Sequence, residues 1–327
     1  MNKVALITGI NGQDGSYLVE LLLTKGYKVW GTVKRNSVAE NQTARINNNI
    51  FKKINLEYAD LNDLSSLIRV IQLCKPDEIY NLAAQSHVRI SFDQPIYTAQ
   101  TTGIGTLKLL EAVKLTNPKA KFYQASSSEM FGNSIDNDGY QRETTPLHPT
   151  SPYGCAKVFA YNICRNYRNS YNMFISNGIL FNHESPRRGT NFVTNKVVKT
   201  AVQISKGLKD KLALGNLDAT RDWGHAKDYV EAMWLMLQQD KPGDYVCSTG
   251  ESHSVRDLCE YVFNKLDLNY KDYVVVDPKY YRAEELHDLK GDSTKLRKLG
   301  WKPKHNFVSL LDDMIEYWDT KDVYELK

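Results

Sequence analysis

The chain has 327 residues, with 42 Lys and Arg against 38 Asp and Glu and a formal net charge of +4. Both signs are interspersed with no basic stripe, which argues against a nucleic-acid partner, and no apolar run approaches ~20 residues, which argues against a membrane span. Length and composition fit an enzyme with a large core in one large or two intertwined domains, and with no signal peptide before the first strand a cytoplasmic location is expected. The five cysteines (Cys74, Cys155, Cys164, Cys247 and Cys259) are odd in number and widely spaced, as reduced packing residues are. The seven histidines show no metal-ligand spacing, so no metal is expected.

The N-terminal run from Val4 to Thr8 reads as a buried parallel strand, and Ser16 to Lys25 carries apolar residues at helical spacing. Between them lies a Gly-x-x-Gly-x-x-Gly loop with Gly9, Gly12 and Gly15. Strand, glycine loop and helix are the context in which backbone N–H groups hold a pyrophosphate. A tight turn without a ligand is the plainer alternative, and the position at the start of a βαβ unit favours the dinucleotide. The second strand, Lys28 to Val33, ends in Lys34-Arg35-Asn36-Ser37, with no carboxylate until Glu40. An NAD site places an acid there for the ribose hydroxyl, whereas Arg accommodates a 2′-phosphate, so NADP is favoured over a merely solvated basic turn.

Leu56 to Ala59 reads as a third strand ending at Asp60-Leu61, Asp63 to Cys74 as a helix, and Glu78 to Leu82 as a fourth strand running into Ala83-Ala84-Gln85-Ser86-His87. A long helix is expected from about Tyr97 to Leu115, then a fifth strand from Lys121 to Ala125. This alternation predicts an α/β fold with a Rossmann-type doubly wound parallel sheet and a ligand crevice at the strand C-termini, where Leu61, Ser86 and Ser126 fall. Ser151-Pro152 is an N-cap and N1 pair opening a further helix, and a sixth strand spans about Phe174 to Leu180. Beyond it come a helix near 193–206, a short strand at 212–214 and a helix near 226–238. The predicted division is a dinucleotide-binding domain over 1–180, to which the helix near 226–238 returns, and a smaller mixed α/β substrate domain over 181–327. The charged tail after Trp318 is expected to fray.

Four residues carry chemistry: Ser127 and Glu129 just past the fifth strand, and Tyr153 and Lys157 on the following helix. A Tyr-x-x-x-Lys pair sits one turn apart on one helix face. A phenol titrates near ~10 and is a poor base at neutral pH unless a cation favours its anion. Lys157 can be that cation, and an oxidised nicotinamide a second. Alone, Ser127 or Glu129 would read as a cap or a solvated acid; beside the Tyr/Lys pair they read as site residues. Glu129 is not needed for simple alcohol oxidation, so it signals a second chemical step.

The glycine loop and the Tyr/Lys pair resemble the extended short-chain dehydrogenase/reductases. Four longer runs, 9–17 (GINGQDGSY), 123–132 (YQASSSEMFG), 178–189 (GILFNHESPRRG) and 221–229 (RDWGHAKDY), resemble the GDP-mannose 4,6-dehydratase family, and the similarity spans nearly the whole chain. The resemblance implies catalysis by Ser127, Glu129 and Tyr153 supported by Lys157. It implies NADP contacts at Gly9, Gly12, Gln13, Asp14, Arg35, Asp60, Leu61, Leu82, Ala83, Ala84, Ser86, Tyr97, Lys157, His183 and Arg188. It further implies nucleotide-sugar contacts at Ser86, Ser127, Glu129, Tyr153, Asn182, Val193, Lys196, Arg221, Arg282 and Glu285, with GDP-mannose as substrate, and a homotetramer or homodimer. Two departures stand out. Ser127 replaces the family's usual Thr, keeping the hydroxyl, and the segment from Arg35 to Phe51 is shorter than the family's arginine-rich turn, which bears on packing between subunits. An epimerase would need the Tyr/Lys pair without an acid placed as Glu129 is, and dehydratases of thymidine-linked glucose carry Asp where this chain has Ser128. A non-catalytic NADP sensor would be expected to have lost the Tyr/Lys pair, which is intact here.

Overall fold

A parallel sheet of seven strands organises the chain: β1 (Val4–Thr8), β2 (Lys28–Val33), β3 (Asn55–Tyr58), β4 (Glu78–Asn81), β5 (Lys121–Ser127), β6 (Ile175–Leu180) and β7 (Asp244–Cys247). The computed structural model describes residues 2–35, 45–281, 284, 286 and 288–326. The strand order is β7-β6-β5-β4-β1-β2-β3, every pairing parallel, so the direction of winding reverses between β1 and β4. That reversal opens a crevice at the strand C-termini.

Helices cover both faces because consecutive side chains of each strand point to opposite sides. Ala5, Ile7 and Val29 pack against Leu18 and Leu22 of the Gln13–Thr24 helix and Val230, Met233 and Met236 of the Ala226–Leu237 helix. Leu6, Ile79, Phe122 and Ile175 face the other way, onto Leu67 and Ile71 of the Leu64–Cys74 helix and Leu109 and Val113 of the Gly105–Thr116 helix. The chain leaves the sheet after β6 and returns with the Ala226–Leu237 helix and β7, whose Asp244 sits opposite Asn177.

A separate core lies beyond the sheet, where Val197 and Ala201 (helix Val193–Ser205), Leu258 and Val262 (helix Val255–Lys265) and Leu310 and Met314 (helix Phe307–Asp319) pack together. Among the described residues three two-stranded ribbons of two or three residues per strand flank it, pairing 182–184 with 223–225, 220–221 with 253–254, and 212–214 with 274–276.

Two expectations are corrected. The long helix from Tyr97 to Leu115 is instead a short helix Pro95–Thr98, a π-helical stretch Ala99–Ile104 and the helix Gly105–Thr116. The wider turn lets Thr101 accept from Asn62 Nδ2 at 3.0 Å and Thr102 accept from the Gln85 amide at 3.2 Å, tying two strand-end loops to one helix. The tail does not fray through residue 326: Val323–Leu326 is helical, Leu326 is fully buried, and its carbonyl accepts from Gln203 Nε2 at 2.7 Å. Lys206 adds a bond to the Lys321 carbonyl at 3.3 Å and an ion pair with Asp319 at 3.2 Å.

Candidate active site

A polar row across β1, β4 and β5 sets the floor of the crevice. Thr8 Oγ1 donates to Asn81 Oδ1 at 2.7 Å and Asn81 Nδ2 donates to Gln124 Oε1 at 2.8 Å. The amides of Leu82 and Ala83 donate back to Thr8 Oγ1 at 3.1 and 3.2 Å, which fixes the loop leaving β4. The glycine loop lies beside it. Gly9 has φ +67°, a left-handed conformation open to glycine, and a Cβ there would lie 2.9 Å from Ala83 Cα. Gly12 caps the Gln13–Thr24 helix with no side-chain bond, so the first-turn N–H groups face the crevice uncovered.

Two adjoining cavities occupy the crevice and share Leu82, Ala84 and Ser86. The smaller, about 640 Å³, is walled by Gly9, Gly12, Arg35, Asp60, Leu61, Ala83 and Tyr97 among others. Lys34 bridges its rim, 3.1 Å from Asp60 Oδ2 and donating to the Tyr97 hydroxyl at 3.1 Å. The larger, about 1040 Å³, is walled by Asp14, Ser127, Glu129, Tyr153, Lys157, Asn182, His183, Arg188, Val193, Lys196 and Arg221, together with residues of both halves of the chain. Gln13 lines neither cavity: it donates to the His183 carbonyl at 3.0 Å and accepts from Ser185 at 2.8 Å, bracing the glycine loop against the segment after β6. Arg282 and Glu285 lie outside the described residues.

Ser127 ends β5 and accepts from the Glu129 amide at 3.2 Å, opening the short 3₁₀ turn Ser128–Met130 that carries Glu129. Opposite, Ser151 accepts from the Gly154 amide at 3.0 Å and Pro152 takes the first position of the Pro152–Tyr171 helix, as the sequence predicts. Gly154 is what allows the two to meet, since a Cβ there would lie 2.8 Å from the Glu129 carbonyl oxygen and from Pro149 Cβ. The four side chains are thereby brought to one wall. Burial pushes the Tyr153 phenol up to about 12; a hydrogen bond with Ser127 opposes the rise and the Glu129 charge adds to it. Lys157 donates to the Ala125 carbonyl at 2.6 Å and lies 5.7 Å from the Tyr153 ring centre, and burial lowers its ammonium to about 8, against the charge of Asp14.

Asp14 and His183 are bound to each other at 2.8 Å across the crevice. His183 Nδ1 donates to the Phe181 carbonyl at 2.7 Å, and its ring stacks on Tyr229 at 4.6 Å. Burial alone would lower this imidazole, but the charge and hydrogen bond of Asp14 outweigh it and the net shift is upward. Arg188 pairs with Glu184 at 3.2 Å and lies over the Phe192 ring at 3.7 Å. Lys196 donates to the Ala213 carbonyl at 2.6 Å over the Tyr280 ring, and Arg221 reaches the carbonyls of Thr220 and Leu286. Sequence reading did not single out His87, Phe192, Lys199, Lys209 or Tyr280, which also line the larger cavity. Only Lys199 had a signal to find, three residues after Lys196 on one helix. Among the described residues no group of three His, Cys, Asp or Glu could hold a metal ion, and no helix is long and apolar enough to cross a membrane.

The GDP-mannose 4,6 dehydratase family profile matches residues 6–314. The chain belongs to that family. GDP-mannose 4,6 dehydratase 2 of Arabidopsis thaliana is 53% identical over 326 residues, covering 96% of this chain and 86% of that one. The GDP-mannose 4,6 dehydratase of Homo sapiens is 51% identical over 343 residues, with 96% and 90% covered. Among solved structures, a dTDP-glucose 4,6-dehydratase from Bacillus anthracis in complex with NAD superposes with a TM-score of 0.84 at 24% identity, over 99% of this chain and all of that one, which shows the shared Rossmann-type fold. For a GDP-mannose 4,6-dehydratase family member, Ser127 in place of the usual Thr keeps a hydroxyl at the end of β5 and within reach of the Tyr153 phenol.

Proposed function

We propose that this protein dehydrates GDP-mannose to GDP-4-dehydro-6-deoxy-mannose, with NADP as a resident cofactor restored in each turnover. The observation that carries the reading is the convergence of Ser127, Glu129, Tyr153 and Lys157 on one wall of a cavity continuous with the glycine-loop trough, in a chain about half identical to named dehydratases.

The trough fits a dinucleotide. The close approach at Gly9, the helix start uncapped by side chains and the adjoining cavity provide backbone donors for a pyrophosphate and space for a ring at each end. Gly9, Gly12, Leu61, Ala83 and Tyr97 would hold the adenosine and pyrophosphate side, Ser86 and Lys157 the nicotinamide side, and Arg35 with Lys34 would meet the 2′-phosphate that distinguishes NADP from NAD. The cofactor, when bound, supplies the hydride acceptor for C4 and the donor for C6.

The chain's own residues move the protons. Tyr153 takes the C4 hydroxyl proton, and its raised pKa in the buried site makes a cation beside it necessary before it can act as a base. Lys157, kept close by the Ala125 carbonyl, is that cation together with the nicotinamide ring. Ser127 donates to the C4 oxygen as negative charge builds there. A C4 ketone acidifies C5–H; Glu129 removes that proton and delivers one to the departing C6 hydroxyl, so water leaves, and a proton returns to C5 when C6 is reduced. Asn182, Val193, Lys196, Arg221, Arg282 and Glu285 would hold the nucleotide diphosphate end.

The division into a dinucleotide half over 1–180, joined by the Ala226–Leu237 helix, and a substrate half over the rest is supported by the two separate cores. Cytoplasmic location and assembly as a homodimer or homotetramer complete the reading. Assembly is supported by exposed Leu115, Phe159 and Tyr171 on two adjacent helices. Incubation of purified protein with a panel of nucleotide sugars, read by mass for loss of water, tests the substrate. Turnover of thymidine-linked glucose with GDP-mannose untouched would overturn it.

A further inference from the structure

The larger cavity carries more positive charge on one wall than its own carboxylates balance. Lys196, Lys199, Lys209 and Lys279 all line it. Lys279 is paired with Asp277 at 2.7 Å. The other three are not so paired: Lys196 donates to a carbonyl, Lys199 sits 4.9 Å over the Trp318 ring, and among the described residues none of the three has a carboxylate within ion-pair distance. Burial lowers the pKa of both Lys196 and Lys199; the charge of Lys209 adds to this at Lys199, and at Lys196 Tyr280 opposes it while the charges of Lys279 and Lys209 add to it. Three ammonium groups that repel one another and face one cavity are a site strained until an anion arrives. Lys199 is half-buried on the Val193–Ser205 helix, while Lys209 is exposed just beyond that helix. Lys196 and Arg221 already hold protein carbonyls. Among the described residues Lys199 and Lys209 donate to no carbonyl, which leaves their donors to a ligand.

We propose that Lys199 and Lys209 form a capture rim that draws the diphosphate of the incoming nucleotide sugar into the cleft and hands it to the deeper cations. This rests on the nucleotide-sugar reading of the same cavity. The rim recognises charge, not base or sugar, and acts on encounter, not on chemistry. Such an arrangement raises association rates and makes them sensitive to salt.

The test compares wild type with a Lys199→Ala/Lys209→Ala double variant and a Lys199→Arg/Lys209→Arg double variant, each assayed with GDP-mannose from low to physiological salt. The rim predicts an unchanged kcat, a kcat/KM about tenfold lower at low salt for the Ala variant, a shallower salt dependence, and near-wild-type behaviour for the Arg variant. A wild-type kcat/KM and salt slope in the Ala variant overturns it, as does a kcat that falls as far as kcat/KM. Calorimetric titration with GDP and with guanosine, its uncharged nucleoside, separates this from the substrate assignment. If wild type leaves GDP-mannose untouched, weaker GDP binding by the Ala variant with guanosine unaffected still upholds the rim, and equal GDP affinity removes it.

Discussion

The two cavities of the crevice are built from different materials. The smaller is walled by the glycine loop and strand ends with side chains such as Arg35 and Tyr97; the larger is walled by residues from both halves of the chain. A backbone site tolerates change in most side chains and fails when the chain path is disturbed. A side-chain site holds its shape and loses its chemistry one group at a time. The contrast is sharpest at two glycines: Gly9 lets the loop approach Ala83, and Gly154 lets the tyrosine helix approach Glu129. One closes the loop onto the end of β4 and the other brings the segments of Tyr153 and Glu129 together.

The largest effects belong to the larger cavity. Tyr153→Phe and Glu129→Gln should each lower dehydration by about 10²–10⁴, the usual contribution of a positioned acid or base, with melting temperature and cofactor affinity close to wild type. Their failure modes differ. Glu129→Gln should accumulate reduced cofactor, visible as nicotinamide absorbance, because the proposed oxidation at C4 uses Tyr153, Lys157 and Ser127 and not Glu129, whereas Tyr153→Phe should not. Equal activity for either variant would return that residue to a structural role.

The smaller cavity should break through its backbone. A Cβ at Gly15 would lie 2.6 Å from the carbonyl oxygens of both Gly9 and Ile10, so Gly15→Ala should cost about 1–3 kcal/mol by overpacking and weaken dinucleotide binding at the same time. Thermal melts with and without added cofactor measure both. An Ala variant as stable as wild type, with full affinity, would show that the loop is not confined as described.

Asp222 tests the wall between the ribbons. Buried, it accepts from the Thr249 amide and hydroxyl and from the Gly250 amide at 2.7–2.8 Å, yet burial dominates and raises its carboxyl to about 6. Between the ordinary 3.8 and about 6 the folded protein therefore binds more protons than the unfolded chain, so this group's contribution to stability falls as pH rises through that window, by at most about 1.4 kcal/mol per unit, and levels off above it. Asp222→Asn should be less stable overall, because its amide faces N–H donors, but that slope should disappear from melts taken across the window. The smallest effect is expected where the backbone-built cavity relies on a side chain: Arg35→Ala should weaken NADP about tenfold and leave NAD nearly unchanged. Equal losses for both dinucleotides would separate Arg35 from the 2′-phosphate.

Much of this was readable where spacing is local. The strand, glycine loop and helix at the N-terminus, and Ser151-Pro152 ahead of Tyr153, declare themselves within a few residues, and the structure has both elements in place. Three kinds of feature were not readable. The π-helical turn at 99–104 spans too few residues to show its own period in the sequence, and its bonds to Gln85 and Asn62 join it to distant loops. Strand β7 is short, and what places it is pairing with β6 across 67 residues, as between Asn177 and Asp244. Lys199, Lys209, Phe192 and His87 read singly as surface charge, core or cap; their meeting around one cavity is a tertiary fact.

Under the proposed mechanism one site oxidises C4 and reduces C6 of the same sugar. GDP-mannose carrying deuterium at C4, incubated with wild-type protein in ordinary water, tests it directly. The label should be found at C6 of the 4-dehydro-6-deoxy product. Deuterium lost to solvent, or retained at C4 in a product that has lost water, would contradict it.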